Sequence, residues 1–273
     1  MTRVLLAGAT GVIGRRLGPL LAARGHEVVP LARTGPGAVD LFDRDGVMAA
    51  VAAARPDVVM HQVTTLASGD LAANSRLRQV GTRNLVDAAL AAGVRRIVAQ
   101  GIAWAYEPGL APATEDTPFD AGAPEPRRTS VAGVAALEAA VREAPEWVVL
   151  RYGTLYGPDT WFARGGLMAQ RAPAGAVRAD ADVSSLLHVD DAASAAAEAL
   201  DWPSGAVNVC DDEPAPAAEW VPAFCAAVGV PAPPVSTGER PHAWARGASN
   251  RHAREGLGWK PAYPSWRTGF AGL

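Results

Sequence analysis

The sequence predicts an α/β fold in which a parallel sheet carries helices on both faces. Short runs rich in Val, Ile and Leu alternate with longer Ala/Leu-rich helical segments through the first two-thirds of the chain. These apolar runs lack a polar face, as strands covered on both sides require. The first run leads straight into a glycine-rich turn and then a helix.

Taken in order, RVLLAGA, HEVVPLA, PDVVMHQ, RRIVAQG and EWVVLRY read as buried strands. Between them GVIGRRLGPLLAARG, DGVMAAVAAARP, RLRQVGTRNLVDAALAAG and RRTSVAGVAALEAAV read as helices, the last running on into VREAP. Gly25, Pro56 and Gly93 stand where helices should stop. After residue 157 the rhythm loosens and Pro and Gly become frequent, with short helical pieces at DAASAAAEAL and AEWVPAFCAAVG. The expected organisation is a sheet-forming core over 1–157. A mixed segment over 158–273 should add further core elements at about 184–210 and a small C-terminal substrate-binding lobe.

Bulk composition narrows the function classes. A chain of 273 residues with a formal net charge of −3 offers no electrostatic reason to bind nucleic acid or an anionic membrane. Arg15 and Arg16 interrupt the first apolar stretch, which excludes a membrane span there, and the early strand leaves no room for a signal peptide. Cys210 and Cys225 have no His or second Cys at ligand spacing, so neither a metal site nor a disulfide is expected. A reducing cytoplasm is the expected location.

The turn after the first strand is GATGVIG, with Gly8, Gly11 and Gly14 in the spacing Gly-x-x-Gly-x-x-Gly. The three glycines permit a tight turn, close approach of a pyrophosphate, and close helix-to-strand packing, and the following helix offers free N–H groups. Strand, glycine turn and helix together predict a dinucleotide seat in a Rossmann-type, doubly wound sheet, with Thr10, Val12 and Ile13 completing the loop. A carboxylate at the end of the next strand would bind the ribose of NAD. The chain instead has Ala32 and then Arg33, a charge suited to a 2′-phosphate, which favours NADP(H) over NAD(H). An Arg on the solvated surface is the plain alternative.

These landmarks resemble the extended short-chain dehydrogenase/reductases, the NAD-dependent epimerase/dehydratase family. The resemblance covers most of the chain. GATGVIG matches the family's loop, VDLFD places Asp40 and Leu41 at its adenine contacts, and PDVVMHQVT matches its fourth strand, with Val63 and Thr64 beside the cofactor. GTRNLVDAALAAGVRRIVAQ, LRYGTLYGP, LLHVDDAASA, GAVNVCDDEP and LGWKPAY follow in the family's order, and Gln100 and Tyr152 fall at cofactor-lining positions. Dimerisation through two helices is common in the family, so a homodimer is a further expectation.

The resemblance also implies hydride transfer between nicotinamide and a carbonyl or alcohol carbon, assisted by a Tyr four residues before a Lys and by a Ser or Thr after the family's fifth strand. A phenol works as an acid or base near neutrality only beside a charge that lowers its pKa. Here the Tyr position falls on Ser130, the Lys position on Val134 and the Ser/Thr position on Ile102, while the family's helix Asn is Arg78. Lys260 is the sole lysine and has no Tyr four residues before it. The usual proton machinery is therefore missing.

Three readings follow. The first is an atypical reductase of a small, largely apolar carbonyl compound, with Tyr106 or Ser130 as substitute catalytic groups; the plain alternatives are a packed aromatic for Tyr106 and a helix-cap hydroxyl for Ser130. The second is a non-redox enzyme (cyclase, isomerase or lyase) whose pocket, lined by Ile102, Trp104, Tyr152 and Trp161, works by positioning. The third is a dinucleotide-binding sensor. His188 with Asp190 or Asp191 reads as a strand-to-helix junction in which an Asp caps the helix, and His61 as a satisfied core histidine. Arg78 could meet an acidic substrate, pair with Asp120, or be solvated.

Overall fold

The computed structural model describes residues 1–35, 38–66, 69–175, 177–236 and 238–273. Its centre is a six-stranded sheet in the order β2-β1-β3-β4-β5-β9, built from β1 (Arg3–Ala7), β2 (Glu27–Leu31), β3 (Val58–His61), β4 (Arg96–Ile102), β5 (Glu146–Tyr152) and β9 (Gly205–Val209). The strands run parallel, with Val4 opposite both Val28 and Val58, and Val58 opposite Arg96. The strand that the family counts as fourth is the third of this chain.

Helices α1 (Gly14–Ala23), α2 (Arg44–Ala54), α3 (Leu71–Arg76), α4 (Thr82–Ala91) and α5 (Arg127–Val141) follow the sheet strands. Asp43 caps α2 by accepting from the Gly46 N–H at 3.1 Å, and Asp70 caps α3 through Ala73. The left-handed residue that ends α2 is Arg55, just before Pro56, whereas Gly25 and Gly93 take positive φ after α1 and α4. The single helix predicted across RLRQVGTRNLVDAALAAG begins earlier, at Leu71, and is broken by a π-helical turn over Leu77–Gly81. Another departure concerns β2. HEVVPLA reads as a buried strand, yet only Leu31 is buried, because β2 lies at the sheet edge. Pro30 has no N–H to donate, and an edge position tolerates that.

The chain divides into two compact units. The first comprises 1–101, 119–150 and 196–206, and its core gathers Leu5, Val47, Val59, Leu85, Ile97, Leu137 and Val149. The second comprises 102–118, 151–195 and 207–273. It contains β6 (Thr154–Tyr156) paired with β8 (Leu186–His188), β7 (Val183–Ser184) paired with β10 (Ala215–Pro216), α6 (Leu167–Arg171), most of α7 (Val189–Glu198), α8 (Ala217–Val228) and α9 (Trp266–Gly269). Its core is more aromatic: Tyr156, Trp220, Phe224, Trp266 and Phe270 pack together.

The boundaries thus differ from a cut at residue 157. The chain leaves the first unit at the C-terminal ends of β4 and β5, where connections in a doubly wound sheet emerge, and so 102–118 joins the second unit. The region near 184–210 is shared, only 196–206 returning to the first unit. Among the described residues, no helix is long and apolar enough to cross a membrane.

Candidate functional site

The glycine loop is tight enough to explain its composition. Gly8 has φ +90°, and a Cβ there would lie 2.7 Å from the Gln62 carbonyl oxygen. A Cβ on Gly14 would come within 2.1 Å of the Gly8 oxygen, and one on Gly11 within 3.1 Å. Side chains at these positions would close the space that backbone N–H groups need to reach a phosphate. Gly11 donates to Gly8 at 2.9 Å, which pins the turn. The N–H groups of Val12 and Ile13 take no partner among the described residues, Ile13 is the uncapped start of α1, and no acid stands in the first turn. Unpaired donors at the positive end of a helix suit a pyrophosphate, so the residues present fit a dinucleotide. Thr10 is exposed beside them.

At the ends of β2 and β3 lie the other cofactor candidates of the first unit. Arg33 is exposed and pairs with no acid among the described residues. Asp40 folds into a short turn, accepting from the Phe42 N–H at 3.0 Å, and the Leu41 carbonyl is held by Asn84 at 2.8 Å. Val63, Thr64 and Gln100 are half-buried. His61 is a satisfied core histidine: Nδ1 accepts from the Val63 N–H at 3.4 Å, so Nε2 carries the proton toward Thr82 Oγ1 at 2.9 Å. Burial, and then the nearby Arg78 charge, lower its pKa to about 4 and keep it neutral.

Ser130 and Val134, which the sequence reading sets at the positions of the family's phenol and ammonium, lie on α5 and are both buried. Ser130 is the fourth residue of the helix, so it is not a cap; Glu125 takes that part, accepting from the Thr129 N–H and hydroxyl. The Ser130 hydroxyl makes no hydrogen bond among the described residues. The sequence also allowed Arg78 to pair with Asp120. Asp120 instead receives Arg127 at 3.0 Å, and Arg78 is no solvated cation: it is 4% exposed, and burial draws its guanidinium down to about 10.

The second unit carries Ile102, Trp104, Tyr106, Tyr152 and Trp161. Ile102 is buried, and Trp161 is half-buried. Trp104 is half-buried with its ring centroid 6.5 Å from that of Trp244. The Tyr152 hydroxyl donates to the Ala192 carbonyl at 3.2 Å. Tyr106 is 1% exposed, and its hydroxyl donates to Asn208 Oδ1 while accepting from Arg151 at 3.0 Å. A phenol engaged on both sides packs as a structural residue. His188 stacks on Tyr263 at 3.7 Å between ring centroids and accepts from the Asp190 N–H at 3.2 Å. Asp191 does not cap α7. Its carboxylate tethers the C-terminal segment by accepting from the Ala262 and Tyr263 N–H groups at 2.6 and 2.9 Å.

Arg78 is the residue whose burial the sequence understated. Its signal was a polar stripe: Asn74, Arg78 and Thr82, four apart, are all buried on one run of helix. Periodicity locates such a stripe without saying that it faces inward.

Fold and loop together define a dinucleotide-binding α/β scaffold. The chain belongs to the NAD-dependent epimerase/dehydratase family, whose model matches residues 4–210. It is 46% identical to the 3-diazoavenalumate denitrifying reductase of a Streptomyces species, over 98% of this chain and 99% of that protein. It is also 30% identical to the ceramide reductase of Caulobacter vibrioides, over 70% of this chain and 58% of that protein. Among solved structures it resembles the UDP-glucose 4-epimerase of Thermus thermophilus in complex with NAD (TM-score 0.73, 28% identity, 98% and 96% of the two chains). The fold is also that of Bordetella bronchiseptica WbmG (TM-score 0.76, 23% identity, 100% and 93% covered).

Proposed function

We propose that the chain is a nicotinamide-dependent reductase of a diazo-bearing carboxylate, which it strips of dinitrogen. The observation that carries this reading is an intact glycine loop in a chain whose sequence has Ser130 and Val134 at the positions read as the family's proton couple. Reduction of a carbonyl develops an alkoxide, which needs a proton at once. A diazonium group is a cation and creates no such demand: R–N2⁺ plus hydride gives R–N=N–H, which collapses to R–H and N2 with atoms and charge balanced. The denitrifying relative, aligned over almost the whole chain, supports this choice over carbonyl reduction.

Bound reduced nicotinamide supplies the hydride. The chain's own contribution is to seat the pyrophosphate on Val12 and Ile13 and to keep a buried, apolar Val134 where an ammonium would otherwise stand. Tyr106 stays in the fold and donates no proton. We assign Arg33 to the 2′-phosphate of NADP(H), since no carboxylate stands at the end of β2 to bind a free ribose. A cytoplasmic setting fits the two buried, unpaired thiols, Cys210 and Cys225.

The test is to incubate the protein with NADPH and 4-carboxybenzenediazonium and to measure cofactor oxidation and N2 together. One N2 per NADPH, at a rate well above a protein-free control, is the expected result. Oxidation of NADPH with a carbonyl panel but not with the diazonium salt would return the chain to carbonyl reduction.

A further inference from the structure

Arg78 lies on the π-helical turn between α3 and α4, four residues from Asn74 and four from Thr82. Asn74 accepts from the Thr65 N–H at 3.0 Å and Thr82 meets His61 at 2.9 Å, so this helix face packs along the segment that leaves the C-terminal end of β3. Arg78 stands between those two contacts and makes no hydrogen bond or ion pair among the described residues. The Thr65 hydroxyl is likewise buried without a partner. No carboxylate among the described residues pairs with Arg78, and the nearby His61 brings no negative charge in either protonation state. An arginine only 4% exposed, with no acceptor among the described residues, is a standing cost to the fold, and such costs persist where a ligand relieves them. A π-turn inside an α-helix recurs at functional sites for the same reason.

We infer that Arg78 is the anion-recognising residue of this site and receives the carboxylate of the substrate. This rests on the proposed reading in one respect, that the substrate is a carboxylate. Arg suits the task because its planar fork matches a carboxylate with two parallel N–H···O bonds. Ser130 and the Thr65 hydroxyl are further unengaged donors of the same unit. Arg78 is thus a binding group that fixes the orientation of the substrate, and it neither gives nor takes a proton.

The experiment uses unreactive probes, so that it stands apart from whether N2 is released. Cinnamate and methyl cinnamate are titrated into the NADP⁺-loaded protein, followed by tryptophan fluorescence, for wild type, Arg78→Lys and Arg78→Met. Wild type is expected to prefer the acid by about tenfold or more, as a charge-assisted pair allows. Arg78→Met should erase that preference, Arg78→Lys should keep part of it, and NADP⁺ affinity should be unchanged in both. Arg78→Met should also melt no lower than wild type, whereas removal of a structural arginine would lower the melting temperature. Equal affinity of wild type for acid and ester, including no affinity for either, overturns the inference. So does a loss of NADP⁺ affinity in Arg78→Met with the acid preference intact, which would give Arg78 to a cofactor phosphate.

Discussion

Arg151 and Arg78 are buried to the same degree, each 4% exposed, in surroundings of opposite kind. In the second unit Arg151 donates to the Tyr106 hydroxyl and to the Glu115 carbonyl, both at 3.0 Å, and its guanidinium carbon lies 5.2 Å from the Tyr106 ring centroid. Glu115 in turn accepts from the Asn208 N–H at 2.8 Å, and Asn208 accepts from Tyr106. That cluster answers its own hydrogen-bonding needs. In the first unit Arg78 has a neutral histidine nearby and no acceptor among the described residues. Burial alone therefore does not separate a structural charge from a binding one. The inventory of acceptors does.

Five substitutions sharpen or break this contrast. The largest effect belongs to Arg151→Met, which leaves buried oxygens without their donor and should lower stability by about 3 kcal/mol in urea unfolding. The matched Arg78→Met should leave the unfolding midpoint equal or raised, and a comparable loss in both would erase the distinction. Next comes Gly14→Ala. Its Cβ meets backbone at 2.1 Å and must open the loop, so calorimetry should show cofactor affinity reduced roughly a hundredfold while the melting temperature changes modestly.

Arg33→Ala should reduce the preference for NADPH over NADH by about tenfold in kcat/KM, the scale of one exposed phosphate contact. An unchanged ratio would mean that Arg33 is only a solvated charge. The smallest expected effect concerns Asp211 in the second unit. Burial raises its pKa from 3.8 to about 8, although the Glu213 and Trp266 N–H groups donate to it. A raised folded pKa means that its stabilising share is complete below about pH 4 and is lost as pH climbs toward 8. Asp211→Asn keeps an acceptor and should melt a few degrees above wild type at about pH 9, with the gap closing at about pH 5.

Much of the fold was legible because it is local. EWVVLRY coincides with β5 and the stretch from Arg127 to Val141 with α5, since apolar runs and helical periodicity are written in consecutive residues. The glycine loop was legible for a steric reason that needs no tertiary knowledge. What escaped depends on contacts across the chain. Asp191 stands at the start of α7 as a cap would, but the chain returns seventy-one residues later to occupy its carboxylate. Tyr106 looked available, but Asn208, one hundred and two residues on, accepts its hydroxyl hydrogen bond. Pro30 in β2 carried the one local hint of an edge strand. The π-turn that presents Arg78 has no sequence pattern of its own.

The pH dependence of hydride transfer in a single turnover tests the account most directly. With 4-carboxybenzenediazonium and NADPH at saturation, the rate should be flat between about pH 5.5 and 7.5, because the acceptor needs no proton from the protein and His61, near 4, stays neutral throughout. A tenfold fall in rate for each unit of rising pH would reveal an essential acid and contradict the central claim.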